Sequence, residues 1–298
     1  MDIAAVIDEL EALLERHTLL EEEHAGERVE ALSFLDFAIQ ALHGEHRRRA
    51  LNACGTRAQA RAEQLRRSLQ SVDQRLFDHV RAEIIAGHAT HRPLRPLLDR
   101  YTGYPGDVVG YQHYRFDGLD AVVAGVLQAH QMPEPTRGLC PEMISYQATP
   151  ASVILELVDR VDLGPGDVFF DIGSGLGHVV ILVALLAGVR ATGVEIEPAY
   201  CAHARHQASA LGLSSSVCFI SADARDADYG EGTIFYLYTP FTGRVLAEVL
   251  ARLRDHTLGR PVLLCSYGPC TPIIAQEPWL RSLDNHVDSE FKLALFAS

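Results

Sequence analysis

The segment Asp171-Ile-Gly173-Ser-Gly175-Leu-Gly177 constrains this chain more than any other stretch. The apolar run Asp167-Val-Phe-Phe leads into it, and the apolar run His178-Val-Val-Ile-Leu-Val-Ala-Leu-Leu leads out. A strand, a glycine turn and a helix in that order make a nucleotide-binding corner. Glycine permits positive φ and removes the Cβ that would hold a ligand away. The helix that follows presents unpaired N–H groups at its first turn.

Further polar residues fall in step with the corner. Gly193-Val-Glu195-Ile-Glu197-Pro closes the next apolar run and places Glu195 about 24 residues beyond Asp171. That is near the spacing at which an acid meets ribose hydroxyls in doubly wound sheets. Cys218-Phe-Ile-Ser-Ala-Asp223-Ala closes a third run, and Thr233-Ile-Phe-Tyr-Leu-Tyr238-Thr-Pro240-Phe241 a fourth. Elements over 148–298 alternate: helix 150–161, strand 168–172, helix 176–187, strand 190–195, helix 198–211, strands 217–222 and 233–238, helix 243–256, strand 261–267. A last apolar strand lies at 291–296. Such alternation predicts a parallel sheet with helices on both faces.

Over roughly residues 145–298 this series resembles the class I S-adenosylmethionine-dependent methyltransferases. A dinucleotide-binding oxidoreductase, the alternative, would start the turn with glycine rather than Asp171. The resemblance implies a Rossmann-like sheet of seven mostly parallel strands, the last antiparallel, with a poorly marked strand within 282–290. It implies S-adenosylmethionine as cofactor and S-adenosylhomocysteine as product. Gly173 and Gly175 would bring backbone to the methionine part, with Gly177 allowing tight helix packing. Asp171 would take the cofactor's amino group, or alternatively cap the following helix. Glu195 would accept both ribose hydroxyls, as a carboxylate suits a vicinal diol. Asp223 would accept from the adenine amino group and the Ala224 N–H would serve a ring nitrogen. Glu197, before Pro198, suits an N-cap.

Tyr238 stands where such enzymes face the transferring methyl, though Tyr238-Thr239-Pro240-Phe241 lacks the first Asn or Asp of amine-methylating members. The segment Ser145-Tyr146-Gln147-Ala148-Thr149, with the corner and Gly193-Val-Glu195, is similar to the non-SET, seven-strand histone-lysine methyltransferase family. Tyr146 and Thr149 match its cofactor loop. The loop's acid is replaced here, and Leu237-Tyr238 stands in place of its paired asparagines. The resemblance makes Tyr146 and Tyr238 the acceptor-side candidates.

The 298 residues exceed what one such sheet needs, so an appended domain is expected. Apolar residues recur at helical spacing in three sets: Ile3 to Leu14, Val29 to Leu42 and Leu65 to Ile84. They predict an all-α N-terminal domain over 1–100, its stripes buried internally or, for 65–84, against a second copy in a homodimer. Residues 101–147 form a connector holding four of the chain's 10 tyrosines between positions 101 and 114. It reads as an aromatic substrate lid or as an irregular plug, with His113 a candidate base.

Net charge is −13, which argues against nucleic acid as partner. Six cysteines form no C-x-x-C pair, and His88-Ala-Thr-His91 has no carboxylates beside it, so no metal site is expected. No run of 18 apolar residues and no signal-peptide pattern occurs, so the expectation is a cytoplasmic protein without a membrane partner. The first reading is a methyltransferase for a small molecule under a helical cap and aromatic lid. The alternatives are a protein methyltransferase of lysine type acting on a basic partner, and a cofactor-binding scaffold without catalysis.

Overall fold

The computed structural model describes residues 3–47, 53–87, 94–99, 118–128, 132–284 and 291–298. They divide into two compact units, Met1–Glu83 with Pro96–Val126, and Ile84–Arg95 with Leu127–Ser298. His113, the tyrosine-rich stretch 101–117 and the His88/His91 pair lie outside the described residues.

Helices α1 (Ile3–Leu14), α2 (Ala25–Arg47), α3 (Ala53–Ile85), α4 (Leu94–Asp99) and α5 (Gly118–Val126) come first, with 3₁₀ turns at His17–Leu20 and Glu22–His24. Within the first unit, Leu10, Leu13, Leu19, Leu35, Leu42 and Leu69 interlock as a core. α3 begins at Ala53, twelve residues ahead of the first apolar residue of the third set, and carries Gly55 within its first turn. Leu69, Val72, Leu76, Val80 and Ile84 are buried within the single chain. Of the two options for the 65–84 stripe, internal burial accounts for these residues. Arg28 is wholly buried among these helices. Its Nε donates to Asp73 at 2.6 Å, and its terminal nitrogens donate to the carbonyls of Leu19, Glu21 and Glu22. A buried guanidinium is tolerable only when its donors are taken up this fully.

The second unit follows with α6 (Ala151–Arg160), β1 (Val168–Ile172), α7 (His178–Ala187), β2 (Arg190–Glu195), α8 (Pro198–Ala210), β3 (Val217–Ser221), β4 (Ile234–Tyr238), α9 (Gly243–Thr257), β5 (Leu263–Tyr267), α10 (Thr271–Ile274), β6 (Arg281–Ser282) and β7 (Ala294–Ala297). The sheet has seven strands in the order β3-β2-β1-β4-β5-β7-β6. The first five are parallel, and β7 runs antiparallel to β5 and β6. The α/β architecture with an antiparallel final strand is the one that the class I resemblance implies. Of the poorly marked strand expected within 282–290, the described residues hold β6, which overlaps its start; residues 285–290 lie outside the described residues.

All five residues of β1 are buried, as befits a central strand covered on both faces. One face packs Phe170, Ile172, Phe235, Leu237 and Phe296 against Leu246, Val249, Leu250 and Leu253 of α9. The chain reverses its winding between β1 and β4. At such a switch point the loops after neighbouring strands part and leave a crevice.

Candidate functional site

The crevice is a cavity of about 460 Å³ over the ends of β1, β2, β3 and β4. Gly173, Gly175, Glu195, Asp223, Ala224, Tyr146 and Tyr238 are all on its wall. The turn after β1 is built by backbone. The N–H groups of Gly173 and Ser174 both donate to the Val194 carbonyl, at 2.8 and 3.0 Å. Gly173 and Gly175 hold φ of +84° and +51°, which L side chains rarely adopt. A Cβ on Gly173 would lie 2.2 Å from Pro240, and one on Gly175 would lie 2.3 Å from the Tyr146 ring. Both glycines are therefore required by the protein's own groups. Pro240 closes one side of the turn and Tyr146 the other.

Glu195 ends β2 and is held by backbone alone. Its Oε2 accepts from the Gly175 N–H and its Oε1 from the Glu197 N–H, each at 2.8 Å. Burial raises its pKa, against the lowering effect of these donors. Each oxygen keeps a further lone pair for a hydroxyl. Glu197 is the N-cap of α8, accepting from Ala199 N at 2.9 Å. It also accepts from the Thr136 hydroxyl and the Arg137 N–H. Burial opposes its ionisation, but these donors prevail and bring its pKa down to about 2.

Asp171 and Thr149 stand behind the wall rather than on it. Asp171 is only 3% exposed, and burial together with the Glu195 charge pushes its pKa up to about 8. It does not cap α7, whose N-cap is Gly177 with no side-chain bond. Thr149 faces inward: its carbonyl meets His178 Nε2 at 3.3 Å and its hydroxyl meets Tyr236 at 3.5 Å. Asp223 lies on the wall, but its carboxylate is already engaged. Arg225 donates to it from the backbone and from Nε and Nη2, at 2.9, 3.0 and 2.8 Å. The Arg225 side-chain bond leads the causes that lower the Asp223 pKa.

Four contributors were not visible in sequence. His178, read as part of an apolar helix, meets the Tyr146 hydroxyl through Nδ1 at 3.3 Å. Tyr200 packs edge-on against Tyr146 with centroids 5.7 Å apart. Arg225 occupies Asp223. Glu142 reaches across to cap α9, its carboxylate accepting from Val245 N at 2.9 Å and its carbonyl from Thr242 N at 2.8 Å. Beside it Met143 bridges to Phe241, and Ile144 N donates to the Pro240 carbonyl. The segment 142–146 is thereby laced to the loop after β4. In that loop Thr239 holds φ of +36°, a strained value for a β-branched residue. Its Oγ1 accepts from the Cys270 N–H. Tyr238 packs on Tyr267 with centroids 5.1 Å apart.

The wall thus has two ends. Glu195, Glu197, Asp223 and Arg225 make a polar end over β2 and β3; Leu139, Met143, Ile144, Tyr238, Phe241 and Val245 make an apolar, aromatic end over β4. The polar end suits a nucleoside joined to an amino-acid chain, as in S-adenosylmethionine. The fixed Glu195 carboxylate suits the ribose, and the glycine turn suits the chain.

The family model described as "Histone methylation protein DOT1" matches residues 143–217, from the segment before Tyr146 through the corner and β2 to the start of β3. That is the non-SET histone-lysine methyltransferase family to which the cofactor loop is similar. A curated relative, an H3 lysine-79 specific histone-lysine N-methyltransferase of Cryptococcus neoformans var. neoformans serotype D, is 43% identical over 49 residues. The match spans 16% of this chain and 8% of the relative's length. Among solved structures, an RNA methyltransferase from Salinibacter ruber bound to S-adenosyl-L-homocysteine is 27% identical. It covers 51% of this chain and 92% of that one, with a TM-score of 0.41. A magnesium protoporphyrin IX methyltransferase from Synechocystis PCC 6803 with bound cofactor is 17% identical. It covers 49% of this chain and 75% of that one, with a TM-score of 0.38.

Proposed function

We propose that the protein is an S-adenosylmethionine-dependent methyltransferase whose acceptor is an amine on a basic protein partner, a lysine side chain first. The observation that carries this reading is the family match over 143–217, which covers the Tyr146 segment, the glycine corner and Glu195 together. The net charge of −13 suits a cationic partner. The small-molecule acceptor expected from the sequence yields to the protein acceptor on this match.

Bound here, S-adenosylmethionine supplies a sulfonium methyl that is already activated. The residues of this chain do the rest. Glu195 accepts from the ribose hydroxyls without reorganising, because the Gly175 and Glu197 N–H groups hold it in place. The glycine turn and Tyr146 confine the chain that follows. An incoming lysine enters between Leu139, Met143, Ile144, Tyr238, Phe241 and Val245. None of these carries a charge, so desolvation favours the neutral amine over the ammonium. The neutral amine is the nucleophile, and its proton leaves to water before attack. Alignment in this channel supplies most of the rate. The Tyr238 hydroxyl accepts one amine N–H and orients the lone pair.

A small-molecule acceptor is the second reading. It is favoured by the same apolar end, where Leu237-Tyr238 offers neither amide nor carboxylate to an amine. The test is methyl transfer from tritiated S-adenosylmethionine to purified core histones and to a bacterial small-molecule extract, side by side. Acid-stable label on lysine, reduced at least about tenfold in Tyr238→Phe with cofactor affinity held, is the expected result. Label confined to small molecules would move the assignment to the second reading.

A further inference from the structure

We propose that His178 is a positioning residue that sets the cleft through Tyr146. The imidazole is the first side chain of α7 and is only 6% exposed. Its two nitrogens have different partners, the Tyr146 hydroxyl at Nδ1 and the Thr149 carbonyl at Nε2, both at 3.3 Å. A carbonyl can only accept, so Nε2 carries the proton and Nδ1 accepts from the Tyr146 hydroxyl. Burial holds the ring neutral, with its pKa pushed down to about 4, so this donor and acceptor pattern persists at neutral pH. The His178 ring thus ties a carbonyl just ahead of α6 to the phenol that crosses the corner.

Tyr146 needs such an anchor. Its ring occupies the space that a Cβ on Gly175 would take, and Tyr200 meets it edge-on. These contacts fix where the ring sits, but they leave its tilt to the hydroxyl. A tilt of the phenol toward the cavity narrows the space beside Gly175, whose N–H holds Glu195 on the same wall. His178 is part of the corner in this sense, although it stands off the cavity wall.

The proposal rests on the methyltransferase reading above for its binding readout, and a second readout is independent of it. S-adenosylhomocysteine is titrated by calorimetry into the wild type, His178→Phe, Tyr146→Phe, the double variant and His178→Gln. Each Phe variant is expected to weaken binding about fivefold, and the double variant no further than His178→Phe, because the one hydrogen bond that Tyr146→Phe removes is already lost with the imidazole. Gln, which brings its own acceptor and donor, is expected to stay within about twofold of wild type. Effects that multiply in the double variant, or a Gln variant as weak as the Phe variant, would overturn the proposal.

In parallel, the imidazole nitrogens of ¹⁵N-histidine-labelled protein are recorded with and without Tyr146→Phe. An Nε2–H tautomer whose Nδ1 resonance moves in the variant supports the link. An Nδ1–H tautomer, or an unmoved resonance, overturns it. Wild-type protein that fails to bind S-adenosylhomocysteine would count against the cofactor reading, and the spectrum would still decide the role of His178. If His178→Phe does not fold, Tyr146→Phe, His178→Gln and the spectrum carry the decision.

Discussion

Glu195 and Asp223 end neighbouring parallel strands and face the same cavity, yet they are held in opposite ways. Glu195 is fixed by two backbone N–H groups, and burial outweighs them to raise its carboxyl above the ordinary range. Asp223 is clasped by Arg225 and titrates below it. Backbone donors orient a carboxylate without cancelling its charge, and an arginine does both. The first therefore keeps its attraction for a ligand, and the second has largely spent it. A sequence reading gives both acids the same standing; their partners separate them.

The largest test of this contrast is Glu195→Ala. It removes a charged acceptor from the wall and the partner of the Gly175 N–H. Cofactor affinity measured by calorimetry should fall by about 1–3 kcal/mol. Unchanged affinity would mean that the uncompensated carboxylate is not the one a ligand uses.

Asp171 is the extreme of the uncompensated kind. Its pKa of about 8 in the fold compares with 3.8 as the ordinary value. The folded state therefore holds a proton that the unfolded chain has released between about pH 4 and 8. The stability tied to that proton is full below about pH 4 and is lost as pH rises through about 8. Asp171→Asn removes the ionisation, so its melting temperature should exceed that of the wild type by about 3 °C or more at pH 8.5. The gap should close towards pH 4. A variant that tracks the wild type across this range would place the Asp171 charge elsewhere.

The smallest effect is expected at Asp223→Asn. Its partner is partly exposed, and screened pairs contribute little. Cofactor affinity should change by less than about 1 kcal/mol. A loss as large as that of Glu195→Ala would break the contrast and return Asp223 to direct contact with the adenine.

The α/β unit was legible because its strands are short apolar runs closed by Gly, Pro or acids. β1, β2 and β3 lie within a residue of the spacing-based expectation. The two-residue β6 has no apolar alternation and is defined by its pairing with β7, which sequence does not display. The start of α3 at Ala53 was not legible, since the apolar spacing sets in only at Leu65; a helix of 33 residues absorbs the roughly 1 kcal/mol that Gly55 costs. At the site, Glu195 was found by its spacing from Asp171, and the N-cap role of Glu197 by Pro198. The inward turn of Thr149, the clasp of Arg225 and the buried polar contacts of His178 depend on packing across distant segments. His178 in particular shares α7 with nine apolar residues, where periodicity marks only burial.

Glu142 caps α9 while Met143 and Ile144 pair with the loop after β4, and Tyr146 lies only four positions on. The acceptor side of the cleft is therefore one mechanical part made from two distant pieces of chain, 140–147 and 239–245. Transplanting either piece alone from another protein would leave a helix start uncovered and a phenol misplaced. Whoever wishes to change what this cleft accepts must exchange both pieces together.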